Sequence, residues 1–164
     1  MSRPDQADIG ALLDWLGERG IDFVVVGGAA ALLHGAPIAT RDLDIVPDAR
    51  PENLDALAAA LAELDAIFRE PGSRILPLRR EHLDGSGQLL LRTRLGPLDV
   101  LLRLHGGEDY ALLAPESEIF EVDGRTFRVI ALERLIAVKA AAGRARDLVA
   151  VPLLLQALRQ RDPT

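Results

Sequence analysis

Cysteine is absent from this chain of 164 residues, and so are long apolar runs. Without cysteine there is neither a disulfide framework nor a Cys-ligated zinc site. No apolar stretch approaches the roughly 18 residues that a transmembrane helix needs, so nothing is expected to span a membrane. The first eight residues are polar and acidic and lack a signal-peptide pattern, which predicts a cytoplasmic location.

Lysine is almost absent. Lys139 is the single lysine among 19 basic residues. A compact ammonium suits a phosphate group as a point charge. Lys139 is therefore a candidate phosphate ligand, the alternative being an incidental surface lysine. The net charge of −6 argues against a protein that binds nucleic acid by bulk electrostatics, although it leaves room for a small basic patch.

Hydrophobic residues make up 49% of the chain, enough for one globular domain with a substantial core. We expect a single domain over residues 1–164, with a core at 21–130 and C-terminal helices at 131–160. Periodicity and turn residues predict strands at 23–26, 42–46, 74–78, 88–95, 98–104 and within 118–130, and helices at 5–19, 29–34, 51–65, 107–113, 132–142 and 144–160. Gly143 either separates the last two helices or bends one longer helix. This order predicts an α+β fold with a mixed sheet and helices mainly on one face.

Three aspartates lie inside apolar runs, where an unpaired charge is costly. Asp42 and Asp44 stand in T-R-D-L-D-I-V, and Asp99 stands in G-P-L-D-V-L-L. Residues two apart on a strand share a face, so Asp42 and Asp44 are expected side by side, with Asp99 on a later strand beside them. Mutual repulsion would raise their pKa values, and Mg²⁺ or Mn²⁺ would relieve it. The alternative is three ordinary turn or edge aspartates.

A glycine doublet precedes these carboxylates. Gly27 and Gly28 follow the strand V-V-V and lead into a helix, a turn in which backbone N–H groups can approach a phosphate. Tight packing of the strand on the helix would explain the same doublet. Thr40 shares the predicted face of Asp42 and is a candidate contact for the nucleotide. His34 stands at the end of the predicted helix and is expected to cap that turn.

Together these motifs resemble the nucleotidyltransferase superfamily, the group that includes DNA polymerase beta. That family shows a Gly-Gly or Gly-Ser turn, then D-h-D-h, then a third carboxylate in h-D-h, where h is apolar. The resemblance extends to small bacterial minimal nucleotidyltransferases and AbiEii-type toxin relatives, which show V-G-G-x-A-x-x-x-H-G, then T-x-D-L-D, and later L-I-x-x-K-x-x-A-G-R-x-x-D-L. Here the last block reads A-L-E-R-L-I-A-V-K-A-A-A-G-R-A-R-D-L, and the matches frame residues 24 to 148.

The resemblance implies roles for these residues. Gly27 and Gly28 would hold the triphosphate of an NTP substrate. Asp42 and Asp44 would bind two metal ions, Mg²⁺ or Mn²⁺, while Asp99 would bind the catalytic metal and help to deprotonate the acceptor hydroxyl. Many active relatives carry Ser directly after the first glycine, whereas Gly28 here leaves backbone contacts only.

The implied reaction is transfer of a nucleoside monophosphate from an NTP to a hydroxyl on a protein, an RNA or a small molecule. The net charge makes an RNA acceptor less favourable. We expect no added acceptor domain within these 164 residues, so either the acceptor is small, or a partner protein or a second subunit completes the site, as in a toxin–antitoxin pair. The alternatives are a catalytically inactive nucleotide-binding or interaction module and, with less support because no histidine has ligand spacing, a phosphohydrolase of another fold.

Overall fold

A computed structural model describes residues 2–69, 72 and 74–161 of the chain. The helices are α1 (Ile9–Glu18), α2 (Gly27–Leu33), α3 (Pro51–Glu63), α4 (Tyr110–Leu113), α5 (Leu132–Ala142) and α6 (Ala145–Arg161). The strands are β1 (Phe23–Val26), β2 (Leu43–Pro47), β3 (Ile67–Phe68), β4 (Gln88–Thr93), β5 (Gly96–Leu101), β6 (Glu118–Val122) and β7 (Arg125–Val129). The expected α+β class, with a mixed sheet and a C-terminal helical segment, is confirmed.

All of the described strands form one sheet in the order β3-β4-β5-β2-β1-β7-β6. The β2–β5 and β1–β7 pairs are parallel, and the other neighbouring pairs are antiparallel. The central strands β5, β2 and β1 are apolar and almost wholly buried. Asp44 and Asp99 therefore lie in the middle of the sheet, on strands that are paired along both edges.

The core is built from the sheet and from apolar residues that the helices bury. From α1 it takes Leu12, Leu13 and Leu16, which are fully buried. The main contributors from α3 are Leu57 and Leu61, also fully buried. The C-terminal helices pack on each other, and α5 also packs on α2. This arrangement brings α5 beside the turn that contains the glycine doublet.

Two turns follow directly from the sequence. Asp123 and Gly124 join β6 to β7 with φ values of 51° and 82°, the left-handed pair that a two-residue hairpin favours. Gly143 adopts a φ of 66° after α5, so it ends that helix rather than bending a longer one. Helix α1 begins at Ile9 rather than at residue 5, because the Asp8 side chain accepts a hydrogen bond from Ala11 N and caps the helix there.

The expected strand at 74–78 is wrong. The edge position beside β4 is taken by Ile67 and Phe68, which pair with Arg92 and Leu91. The 74–78 segment contributes one isolated bridge, from Pro77 to Ile67. Proline lacks the N–H that a longer ladder would need. Among the described residues, no helix is both long and apolar enough to cross a lipid bilayer.

Candidate active site

The three predicted aspartates meet at one place. Asp42 immediately precedes β2, Asp44 lies within it, and Asp99 on β5 is the direct register partner of Asp44. One carboxylate oxygen from each residue lies within 4.8 Å of the others. The period of two along β2 and the parallel β2–β5 pairing are sufficient to explain this convergence.

The electrostatics of the cluster are those of crowded, partly desolvated acids. Burial raises the pKa of Asp44 to about 7, and the charges of Asp99 and Asp42 add to the rise. Burial likewise raises the pKa of Asp99 to about 6, a rise that the nearby Arg69 charge limits. Within the described part of the chain, the buried Oδ1 of Asp44 has no hydrogen-bond partner. A divalent cation fits this donor set, because it would satisfy that oxygen and neutralise the repelling charges.

The glycine doublet lies directly against this cluster. Gly27 has a φ of 65°, and a Cβ placed there would overlap Oδ2 of Asp44. A Cβ on Gly28 would lie 2.8 Å from Thr40 Oγ1. Helix α2 begins at Gly27 itself rather than at residue 29. The doublet thus lets the backbone come closer to the carboxylates than any residue with a side chain would permit.

Thr40 supports the loop that carries Asp42. Its hydroxyl donates to the backbone oxygen of Asp42 at 3.1 Å, and its side chain packs against Gly28. Thr40 therefore joins the loop before β2 to the glycine turn, and it lines the cavity described below.

Lys139 approaches the cluster from α5. Its ammonium lowers the pKa of Asp44, and it lies 3.5 Å from Oδ1 of Asp147, a carboxylate 1% exposed. Asp147 also accepts a hydrogen bond from Arg144 Nε at 2.6 Å. Burial acts to raise the pKa of Asp147, but the hydrogen bond from Arg144 and the charge of Lys139 hold it below its usual range. Asp147 is therefore an ionised anchor for Lys139.

Arg69 is the site residue that sequence reasoning missed. It follows β3, and its Nη1 lies 3.3 Å from Oδ1 of Asp42 while its Nη2 donates to Oδ1 of Asp99. The side chain is 18% exposed. No motif around Arg69 indicates this contact, because it depends on how the short edge strand pairs with β4.

His34 is the C-cap residue of α2, as expected, with its backbone N–H bonded to Ala30 O, and its side chain makes further contacts. Its Nε2 lies 2.7 Å from the backbone oxygen of Ile130, its Nδ1 lies 3.5 Å from a carboxylate oxygen of Glu118, and the ring meets Phe120 edge-on. His34 thus connects the end of α2 to the segment that leads into α5.

A cavity of about 510 Å³ opens over the carboxylates and is bounded on the far side by α5 and α6. Its lining includes the acidic cluster, the glycine turn and the basic side chains Arg41, Lys139, Arg144 and Arg146. Its apolar wall comprises Ile38, Leu101, Leu104, Ile130, Leu135 and Val138. The cavity therefore offers charged side chains to an anionic, metal-bound group and apolar side chains to a flat or hydrophobic one.

Neither the protein-family models nor the curated protein sequences contain a match to this chain. Solved structures do match it. The lincosamide antibiotic adenylyltransferase LnuA, with lincomycin bound, aligns with a TM-score of 0.64 at 13% identity, covering 94% of this chain and 99% of its own. A putative nucleotidyltransferase from Thermotoga maritima aligns with a TM-score of 0.54 at 18% identity, covering 93% and 96%. ANT(2″)-Ia in complex with adenylyl-2″-tobramycin aligns with a TM-score of 0.56 at 17% identity, covering 92% and 87%.

These alignments extend over nearly the whole chain, so the likeness belongs to the complete arrangement of sheet and helices rather than to one motif. At 18% identity or less, it establishes the fold. The motifs around Asp42, Asp44 and Asp99 resemble the same superfamily on independent grounds. The finer likeness to AbiEii-type relatives stays a prediction. The chain therefore has the nucleotidyltransferase fold.

Proposed function

We propose that this chain is a divalent-metal-dependent nucleotidyltransferase that moves a nucleoside monophosphate from an NTP to a hydroxyl acceptor. The observation that carries the proposal is the meeting of Asp42, Asp44 and Asp99, with one oxygen from each within 4.8 Å of the others. The fold supports it, since two of the structures described above are, by their names, antibiotic adenylyltransferases or complexes with an adenylylated antibiotic.

The three aspartates would hold Mg²⁺ or Mn²⁺. The unpartnered Oδ1 of Asp44 and the raised pKa values of Asp44 and Asp99 both favour a cation at this point. When bound, divalent cations neutralise a triphosphate and favour ionisation of the attacking hydroxyl. The protein's own contribution is to keep the three carboxylates together in a partly dry site, where charges act strongly.

The triphosphate would lie between the glycine turn and α5. Gly27 and Gly28 permit close approach of the backbone, and Thr40 completes that wall. Lys139, held by Asp147, would face the phosphates from the opposite side as a point charge. Once a nucleotide is placed here, the apolar wall can take the nucleobase or an apolar part of the acceptor.

In the proposed transfer, the acceptor hydroxyl oxygen attacks the α-phosphorus of the NTP and forms the new P–O bond. The bond from the α-phosphorus to the pyrophosphate oxygen breaks, and pyrophosphate leaves with that electron pair. The carboxylate of Asp99 accepts the hydroxyl proton. A carboxylate positioned at the reacting hydroxyl is a general base of the kind that this step needs.

Among the possible acceptors, the observations favour a small molecule. The net charge of −6 opposes an RNA acceptor, and LnuA, which this chain matches over 99% of that chain's length, is crystallised with a small antibiotic. The test incubates the protein with Mg²⁺ or Mn²⁺, each α-labelled NTP in turn, and panels of hydroxylated small molecules, total RNA or cell lysate, with Asp44→Asn as the control.

Transfer of label to a small molecule, lost in Asp44→Asn, is the expected result. Label on protein or RNA would move the proposal to those acceptors, as a toxin of a toxin–antitoxin pair would require. Metal-dependent NTP binding without label transfer to small molecules, protein or RNA would overturn the proposed enzymatic activity. It would favour an inactive nucleotide-binding or interaction module.

A further inference from the structure

Arg69 occupies the acidic cluster itself, although the proposed transfer assigns it no part. Its guanidinium contacts Oδ1 of both Asp42 and Asp99. These oxygens are among those available to a cation held by the cluster. A guanidinium and a divalent cation at the same oxygens would repel each other, since both are positively charged.

The backbone holds Arg69 where it can make these contacts. Its N–H donates to Leu90 O at 2.8 Å, and Leu90 is the register partner of Asp99, which in turn pairs with Asp44. Arg69, Leu90, Asp99 and Asp44 thus follow one row across neighbouring strands. Arg69 stands at the edge end of this row, and its side chain reaches inward over β4, whereas its backbone lies outside the carboxylate cluster.

The guanidinium of Arg69 also reduces the repulsion within the acidic cluster. Three carboxylates and one guanidinium leave less uncompensated charge than three carboxylates alone. The contact is reversible in principle, because the arginine comes from the sheet edge and its side chain is partly open to solvent, at 18% exposure. The Lys139 ammonium, by contrast, is already anchored by Asp147 at 3.5 Å.

We propose that Arg69 is a positioning residue that competes internally with the divalent cation: it holds Asp42 and Asp99 in place before the metal binds, and it releases them when the metal enters. The inference rests on the metal site of the proposed function, but not on the identity of the acceptor. It predicts that removing the arginine charge tightens metal binding, the opposite of what the loss of a merely structural residue would cause.

The test measures the affinity of the nucleotide-free protein for Mn²⁺ by electron paramagnetic resonance of unbound Mn²⁺. The variants are Arg69→Met, Arg69→Lys, Asp44→Asn and Arg125→Met. Arg125 is a matched control for lost charge, because its ion pairs are with Asp14 and Glu18 on α1. Thermal unfolding in EDTA is recorded in parallel.

We expect Arg69→Met to bind Mn²⁺ roughly tenfold more tightly than the unaltered protein, with Arg69→Lys between the two and Arg125→Met unchanged. In EDTA, Arg69→Met should unfold at a lower temperature, and saturating Mn²⁺ should remove that deficit. Unchanged or weaker Mn²⁺ binding by Arg69→Met would overturn the inference, as would equal tightening in Arg125→Met.

The Mn²⁺ titration and the nucleotide-transfer assay together separate this inference from the proposed function. If the unaltered protein binds Mn²⁺ through Asp44 and Arg69→Met binds no more tightly, only the role of Arg69 fails. If neither protein binds Mn²⁺, the metal-dependent function and the inference both fail. If Mn²⁺ binding tightens as expected but no nucleotide transfer is found, the competition stands and the enzymatic proposal falls.

Discussion

The α-carbon of Gly27 faces the carboxylate of Asp44 so closely that a methyl group at position 27 would overlap Oδ2. Gly27 also has a φ of 65°, which residues with a side chain rarely adopt. Any substitution at position 27 therefore loses stability in two ways, through a strained backbone and through overlap with the carboxylate of Asp44. Only the second concerns the proposed site.

Gly27→Ala is expected to destabilise the protein and to abolish tight Mn²⁺ binding, because Asp44 must move to make room. Gly20→Ala is the matched control, since Gly20 has a φ of 66° and a Cβ added there would meet no atom within 4 Å. Backbone strain alone should cost Gly20→Ala about 1 kcal/mol. Chemical unfolding and Mn²⁺ titration of both variants check this, and intact Mn²⁺ binding in Gly27→Ala would show that the contact has no functional weight.

The carboxylate pair gives the protein a defined pH dependence. Because the pKa of Asp44 is raised to about 7 and that of Asp99 to about 6, the folded state binds more protons than the unfolded state between about pH 4 and 7. The free energy of unfolding in EDTA should therefore fall as the pH rises through this window. Asp44→Asn should flatten the slope and gain on the order of 1–3 kcal/mol at pH 8.

Metal binding should follow the same protonation. Bound protons must leave before Asp44 and Asp99 can hold a cation, so Mn²⁺ affinity should rise between about pH 5.5 and 8, a window taken from their pKa values of about 7 and 6. Calorimetry at about pH 6.5 in two buffers of different ionisation enthalpy should show proton release. Affinity that stays flat across the window would contradict the raised pKa values.

Lys139 should contribute to NTP binding through its charge and its position. Lys139→Met is expected to weaken NTP binding or turnover by about 10²-fold. It should also lower the free energy of unfolding, because it leaves the buried Asp147 with Arg144 as its cationic partner. Arg134→Met is the matched control, since Arg134 stands on the same helix and pairs with Glu116 at 2.7 Å. Equal losses in both variants would assign the effect to helix charge rather than to a phosphate contact.

Much of the site could be predicted from the sequence because its residues follow short-range rules. Asp42 and Asp44 share a face by the period of two, and their apolar neighbours indicate a buried strand. The Asp-Gly pair at 123–124 is typical of a two-residue hairpin turn, and the structure has that turn where the sequence predicts it. The convergence of Asp99 on Asp44 needed one further assumption, that the strand of Asp99 lies beside β2, and the register shows that it does.

The features that the sequence did not predict depend on tertiary packing. Arg69 and Asp99 are 30 positions apart, and β3 has only two residues, too few for any periodic signal. The strand expected at 74–78 was wrong for the same reason, since which segment pairs with the edge of β4 is decided by contacts rather than by local propensity. The capping position of His34 follows from the local sequence, but its side-chain partner Ile130 is 96 positions away.

His34 tests how the glycine turn is held in position relative to α5. Its side chain is 1% exposed and makes its bond to Ile130 O at 2.7 Å, so deleting the ring leaves a buried acceptor unpaired and a cavity beside Phe120. His34→Ala should cost about 2–4 kcal/mol and weaken NTP binding through loss of position. His34→Gln, which can still donate to Ile130 O, should recover part of both losses in unfolding and nucleotide-binding measurements. A full loss of stability with unchanged NTP affinity in His34→Ala would limit this histidine to the core and remove it from the organisation of the site.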